Sequence, residues 1–398
     1  MKKMYVYADN AATTKMDKDV IQAMLDIMEN EYGNPSSLHS KGQKAAEILE
    51  EARDNIAKCL SAKPKEIIFT SGGTEANNYA LLSCAQAQAK KGKKHIVSTE
   101  FEHHSVLNTL SRLKKDGFEI ECLHPGSKAN IDPQQVENAI REDTALVTTI
   151  YGNNEIGSIL PIFEIGEICK EKGVLFHTDA VQAVSHVDIN LGEDNIDLLS
   201  LSAHKFHGPK GVGALYVREG IKLDSFITGG AQESGRRAGT ENLPGIVGMS
   251  VALQKYSKNI IDRQSHVQAL RDKLIDGLSN IPHSALNGDP KNRLAGNVNF
   301  CFEGIEGESL ILLLNEKGIC ATSGSACTSR DLSASHVLLS IDRAQEIAHG
   351  SLRLSLSEEN TIAEVNYMLE VIPKVVEYLR SISPLWNEKV KNGEFILK

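Results

Sequence analysis

Between residues 65 and 217 the chain alternates short apolar runs with stretches whose apolar residues recur at helical spacing. "EIIFT" leads into "TEANNYALLSCAQAQAK", and "KHIVST" leads into "HHSVLNTLSRLKK". "FEIECL", "DPQQVENAIRE", "TALVTTIY", "PIFEIGEICKEK", "VLFHTD" and "IDLLSLS" continue the alternation. Such a pattern predicts a mostly parallel sheet with helices on both faces. "VGALYV" reads as a hairpin-like strand that closes the region. A long helical stretch around 245 to 281 is expected to link it to a second unit. That unit reads strand, helix, strand, strand, helix in "AGNVNFCF", "GESLILLLNEK", "GICATS", "SLRLSL" and "TIAEVNYMLEVIPKVVEYLRSI". No internal repeat or low-complexity tail interrupts it.

Composition narrows the class. At 398 residues the chain exceeds what one hydrophobic core usually serves, so two lobes are expected. A net charge of −9 argues against a general nucleic-acid binder. No apolar run approaches the roughly 18 residues of a membrane helix, and the N-terminus has no secretory apolar region. The seven cysteines are scattered, with no CxxC pair and no zinc-like Cys/His spacing. That usage favours a reducing cytoplasm over a disulfide framework.

Ligand sites in open parallel sheets lie beyond the C-terminal strand ends, and the unusual polar residues sit there. "FTSGGTEANN" runs strand, Gly-Gly turn, helix start. Its free N–H groups, Gly73 and the Thr74 hydroxyl suit an anion such as a phosphate. The plainer reading makes Thr74 an N-cap and Glu75 a first-turn acid. In "FHTDAVQA", Asp179 and Gln182 follow a buried strand, where a carboxylate needs a cationic or hydrogen-bonding partner or else simply caps the next helix. In "SLSAHKFHGPKGVGALY", Lys205 ends another buried strand. Apolar and cationic surroundings lower its proton affinity and make it a usable amine nucleophile; a snorkelling lysine is the alternative. A phosphate cup, a carboxylate for a ring nitrogen and a strand-end lysine are together the parts that hold pyridoxal phosphate. "TEFEHHSVL" adds His103 and His104, of which one could stack on a ring and move protons. "YGNNEIG" adds Asn153 as a neutral donor. Cys327, in "ICATSGSACTSRD", has small polar neighbours suited to a mobile loop, whereas the other six cysteines read as buried fillers. Arg353 in "GSLRLSL" could fork onto a substrate carboxylate or be a surface arginine on an edge strand.

These residues closely resemble the cysteine desulfurases of the NifS/IscS group, within the fold-type I pyridoxal-phosphate enzymes. The resemblance runs nearly end to end through "YADNAATT", "YGNPSSLH", "FTSGGTEANN", "NNEIG", "HTDAVQA", "SAHKFHGPKGVGALY", "RAGTEN", "SGSACTS" and "AHGSLRLSL". It implies a large cofactor-binding α/β domain over residues 15–258. A smaller α+β domain over 1–14 and 259–398 carries the cysteine loop. Lys205 resembles the lysine that bonds the cofactor aldehyde. Gly73, Thr74, Ser202 and His204 match phosphate-binding positions, and Thr240 matches a phosphate contact supplied by the partner subunit, so a homodimer is implied. His103 matches the histidine over the ring, Asp179 the partner of the ring nitrogen, and Gln182 and Asn153 the hydroxyl-side contacts. Arg353, with Asn153, matches the substrate carboxylate clamp. Cys327 matches the nucleophile that takes sulfur from L-cysteine as a persulfide, leaving alanine. His103 is expected to accept a proton. An iron–sulfur scaffold or sulfur-relay protein is the implied acceptor; no resident metal is implied, and Cys327 would meet an iron–sulfur cluster only on a partner. The chain departs from the family at Thr322, where a serine is common, and at Asp342-Arg343, where a glycine-containing turn is usual.

Two competing readings make different predictions. A selenocysteine lyase or an aminotransferase on the same fold would not need Cys327. A non-catalytic nucleotide-binding or scaffolding protein would carry no chromophore.

Overall fold

A computed structural model describes residues 4–323 and 334–397. Its centre is a seven-stranded sheet in the order Ile67–Thr70, Gly213–Val217, Leu198–Ser202, Leu175–Asp179, Thr144–Ile150, His95–Thr99 and Glu119–Leu123. Only Gly213–Val217 runs antiparallel to its neighbours. The remaining pairs are parallel, as the alternation of strands and helices predicts. The residues of Thr144–Ile150 are all buried, as a central parallel strand covered on both faces requires.

Alternate side chains divide between two apolar layers. Phe69, Val97, Val147, Phe176, Leu199 and Leu201 belong to the layer shared with the helices Ser40–Cys59 and Leu243–Tyr256. Ile68, Ile96, Leu146, Leu198 and Leu215 meet Tyr79, Leu82, Val106 and Leu110 on the opposite face. A third apolar cluster belongs to the C-terminal unit. There Val298, Phe300, Leu352 and Leu354 pack with Leu270 and Leu274 from Ile260–Leu278 and with Met368 and Ile372 from Ile362–Ile382.

Around that cluster lies a three-stranded antiparallel sheet of Ser351–Ser355, Asn297–Phe302 and Ser284–Leu286. The N-terminal strand Val6–Tyr7 pairs in parallel with Ile319–Cys320. The expected helical stretch from 245 to 281 is two helices, Leu243–Tyr256 and Ile260–Leu278. They break where Asn259 takes a φ of 50°, a conformation that asparagine tolerates better than most side chains. The C-terminus is docked. Buried Glu303 accepts from Lys389 Nζ at 2.8 Å, from the Ile396 N–H and from the Leu397 N–H. No helix among the described residues is long and apolar enough to cross a membrane.

Candidate active site

The parallel strands deliver their C-terminal ends to one edge. Asp179 closes Leu175–Asp179 and sits level with Ile150 and Ser200 on the adjacent strands. Ser202 closes Leu198–Ser202, and a short 3-10 turn over Ala203–Lys205 follows directly. The helix Gly73–Ala89 begins just past Ile67–Thr70.

That helix start is built for close approach. Its N-cap is Gly72, at φ 151° and ψ −178°, a region open to glycine alone, and no side chain caps it. A Cβ on Gly73 would lie 2.5 Å from Val181 Cγ2. Ser202 Oγ lies beside Gly72, 3.6 Å from where its Cβ would stand. Thr74 is not the cap, and it lines a cleft with His103 and Ser105. Glu75 fixes the turn from outside: it accepts from the Ser71 N–H at 2.8 Å and pairs with both Nε and a terminal nitrogen of Arg237.

Asp179 is buried and has no ion-pair partner among the described residues. Asn77 Nδ2 donates to its Oδ2 at 2.7 Å, and the Val181 N–H donates to its Oδ1 at 3.1 Å. Asn77 Nδ2 also donates to Ser105 Oγ at 2.9 Å, which is 2.8 Å from His103 Nδ1. The Ser105 N–H donates to that same Nδ1 at 3.1 Å, because His103 caps the helix His104–Lys115. A backbone N–H only donates, so Nδ1 is the acceptor and the neutral ring carries its hydrogen on Nε2. The expected proton acceptor therefore presents a donor at Nε2. Burial lowers the pKa of His103, with Lys205 and His104 adding to the effect against Asp179.

Lys205 Nζ donates to Ala11 O at 2.6 Å and to Ala12 O at 2.9 Å. Gln182 Nε2 donates to the same Ala11 carbonyl at 2.8 Å. Two predicted residues thus meet at one backbone oxygen of the N-terminal segment. His204 Nδ1 lies 3.2 Å from Thr13 Oγ1, and burial pushes its pKa down to about 4. The uncharged ring can meet an anion only as a hydrogen-bond donor. Asn153 is held by its own turn. Its Nδ2 donates to Phe101 O at 2.8 Å, and its Oδ1 accepts from the Glu155 and Ile156 N–H groups. One amide hydrogen remains for a ligand.

Arg353 is no surface residue. It is 4% exposed and donates to Asn154 O and Asp9 Oδ1, each at 3.0 Å. Its Nε finds no partner among the described residues. Thr240 is exposed. Cys327 lies outside the described residues. Thr322, just before that segment, exchanges backbone hydrogen bonds with Arg353 in both directions. Asp342 takes a φ of 61°, which explains why a glycine suits the position. Here its carboxylate accepts from His124 Nε2 at 3.2 Å instead.

Sequence reasoning missed Asn77, Ser105 and Glu102. Asn77 and Ser105 lie inside the quoted motifs, yet nothing in a one-dimensional pattern shows that they join Asp179 to His103. Glu102 is fully buried, accepts from Thr99 Oγ1 at 2.6 Å and from the Ile150 N–H at 2.8 Å, and has its pKa raised to about 8 by burial. Its signal was its position between a buried strand and the two histidines.

The aminotransferase class-V family profile matches residues 6–368. Cysteine desulfurase IscS of Methanosarcina thermophila is 52% identical over 96% of this chain and 94% of its own. Cysteine desulfurase IscS of Clostridium botulinum is 49% identical over 98% of both chains. A solved NifS-like protein superposes with a TM-score of 0.88 at 37% identity, covering 94% of this chain and all of its own. SspA, solved in complex with cysteine, superposes with a TM-score of 0.80 at 35% identity, covering 89% of this chain and all of its own. With a family profile matched over residues 6–368 and relatives near half identity, the chain belongs to the class-V aminotransferase family, in its NifS/IscS cysteine desulfurase group.

Proposed function

We propose that this cysteine desulfurase holds pyridoxal 5'-phosphate on Lys205 and passes the sulfur of L-cysteine to Cys327, leaving L-alanine. One observation carries the cofactor assignment. A buried carboxylate with no ion-pair partner among the described residues, a glycine helix start without a side-chain cap and a strand-end lysine stand at one edge of one sheet. The residues fit the group. Gly73, Thr74, Ser202 and His204 would hold its phosphate, with Thr240 of the partner subunit completing the cup in a homodimer. Asp179 would face the ring nitrogen, held in place by Asn77. His103 would cover the ring face, and Gln182 and Asn153 would serve the hydroxyl side.

When bound, pyridoxal phosphate supplies an electron sink for bonds at the substrate Cα. Arg353 orients the substrate through its carboxylate. Lys205 Nζ, beside the Ala11 and Ala12 carbonyls, moves the Cα proton. His103 offers its Nε2–H as a hydrogen-bond donor. The Cys327 thiolate attacks the substrate sulfur: an S–S bond forms, the C–S bond breaks, and its electron pair stays with the carbon skeleton that leaves as alanine. The balance is L-cysteine plus a thiol giving L-alanine plus a persulfide. The persulfide then serves an iron–sulfur scaffold or sulfur-relay protein, in the cytoplasm.

The purified protein is expected to be yellow, and borohydride should bleach it while fixing a pyridoxyl mass on the Lys205 peptide. Protein that stays colourless with added pyridoxal phosphate, with Lys205 unmodified after reduction, would overturn the cofactor assignment.

A further inference from the structure

Glu155 is a buried acid that the chemistry above leaves unused. It lies in the turn after Thr144–Ile150 and is 6% exposed. The turn is firmly built. Its N–H donates to Asn153 Oδ1 at 2.9 Å, and its carbonyl accepts from Asn297 Nδ2 at 3.1 Å and Asn299 Nδ2 at 2.9 Å. Its carboxyl accepts from the Ser335 hydroxyl at 2.5 Å. Burial raises its pKa to about 7, which Arg353 partly opposes.

Ser335 is a structural root. Its Oγ caps the helix His336–Ser340 by accepting from the Leu338 N–H. The next residue, His336, donates from Nε2 to Glu102 O at 3.0 Å. Ser335 is also the second residue described after 324–333, the stretch that contains Cys327. On the upstream side, Thr322 pairs with Arg353, and Ser351 Oγ donates to Ser323 O at 2.9 Å. Arg353 itself donates to Asn154 O, one residue before Glu155. One turn therefore touches both the substrate-carboxylate seat and the downstream root of the cysteine segment.

We propose that Glu155 is a positioning residue for sulfur transfer, holding Ser335 against the turn that also meets Arg353. The inference rests on Cys327 being the sulfur acceptor. A carboxyl accepts from the hydroxyl with its best acceptor. The amide of glutamine keeps the volume but offers a weaker oxygen and an extra donor to a buried pocket. Displacements of about 1 Å in a reacting group can cost about a hundredfold in rate.

The test uses the holoenzyme and separates seating from transfer. Glu155→Gln and Ser335→Ala should leave the half-saturation of the L-cysteine-induced absorbance change within about twofold of the parent. Trapped persulfide on Cys327 should appear at least about tenfold more slowly in a single turnover. Ser335→Thr, which keeps the hydroxyl, should restore most of the rate, and the double variant should be no slower than the slower single one. Parent-like persulfide rates in both single variants would overturn the proposal. So would slow transfer accompanied by an equal loss of substrate seating, which marks general damage to the site. Cys327→Ala, run alongside, checks the reading beneath: sulfur release at the parent rate in that variant would sink the acceptor assignment itself, whatever Glu155 does.

Discussion

One histidine ring does three jobs. His103 caps a helix with Nδ1, takes the Ser105 hydroxyl at the same atom, and presents Nε2 with its hydrogen. The cap is what sets the tautomer. Asn77 is the hinge of the set, because its single amide nitrogen serves both Asp179 and Ser105. Asn77→Ala strips a donor from a buried carboxylate and a buried hydroxyl together. It should lower stability by about 1–3 kcal/mol, read as a fall in the urea midpoint, and should weaken retention of the cofactor. An unchanged midpoint would show that the two acceptors find other partners. At this scale the candidate site was largely legible, since Lys205, Asp179, Gly73 and Thr74 carry their chemistry in their neighbours. Asn77 was not, because its role depends on Asp179, which lies far along the chain.

The helix Gly73–Ala89 and the N-terminal segment carry the site as elements. A methyl on Gly73 meets Val181 Cγ2 at 2.5 Å, so Gly73→Ala must shift either the Val181 side chain or the helix start. Retained pyridoxal phosphate should fall at least about tenfold in dialysis, with thermal stability only modestly reduced. Full retention would show that the close approach is not needed. The N-terminal segment ties the small sheet to Lys205. Asp9 holds Arg353, Ala11 takes the Ser355 hydroxyl on its N–H, and the Ala11 carbonyl takes Lys205 and Gln182. Strand and helix order was legible because period-two and period-3.6 patterns report burial directly. The break at Asn259 was not, because apolar spacing continues across it and only a backbone dihedral marks the turn. The docking of the C-terminal tail was equally hidden, as it depends on Glu303, an acid just past an apolar strand with no sequence mark of its distant partners.

Across the whole molecule, buried acids set a dependence on pH. Glu102 has its pKa raised to about 8 in the fold, against about 4.3 in an unfolded chain. Its contribution is therefore fully present below about pH 4.3 and is lost as pH rises towards about 8. Glu102→Gln, which mimics the protonated form, should gain stability relative to the parent as pH rises through that window. A constant difference from pH 5 to 9 in chemical denaturation would contradict it. Glu358 works in the opposite sense. Burial opposes its charge, but His207 and Arg263 outweigh that and hold its pKa down to about 2, so its contribution is present above about pH 4.3 and fades in acid. The subunit pairing inferred from Thr240 belongs to this scale too, and light scattering should give twice the chain mass. The account as a whole turns on where the sulfur goes. Holoenzyme given one equivalent of L-cysteine, quenched with a thiol alkylator and mapped by mass spectrometry, should show one added sulfur atom on the Cys327 peptide and an equal amount of alanine. Alanine formed with the Cys327 peptide unchanged, or with the added sulfur on another cysteine, would contradict it.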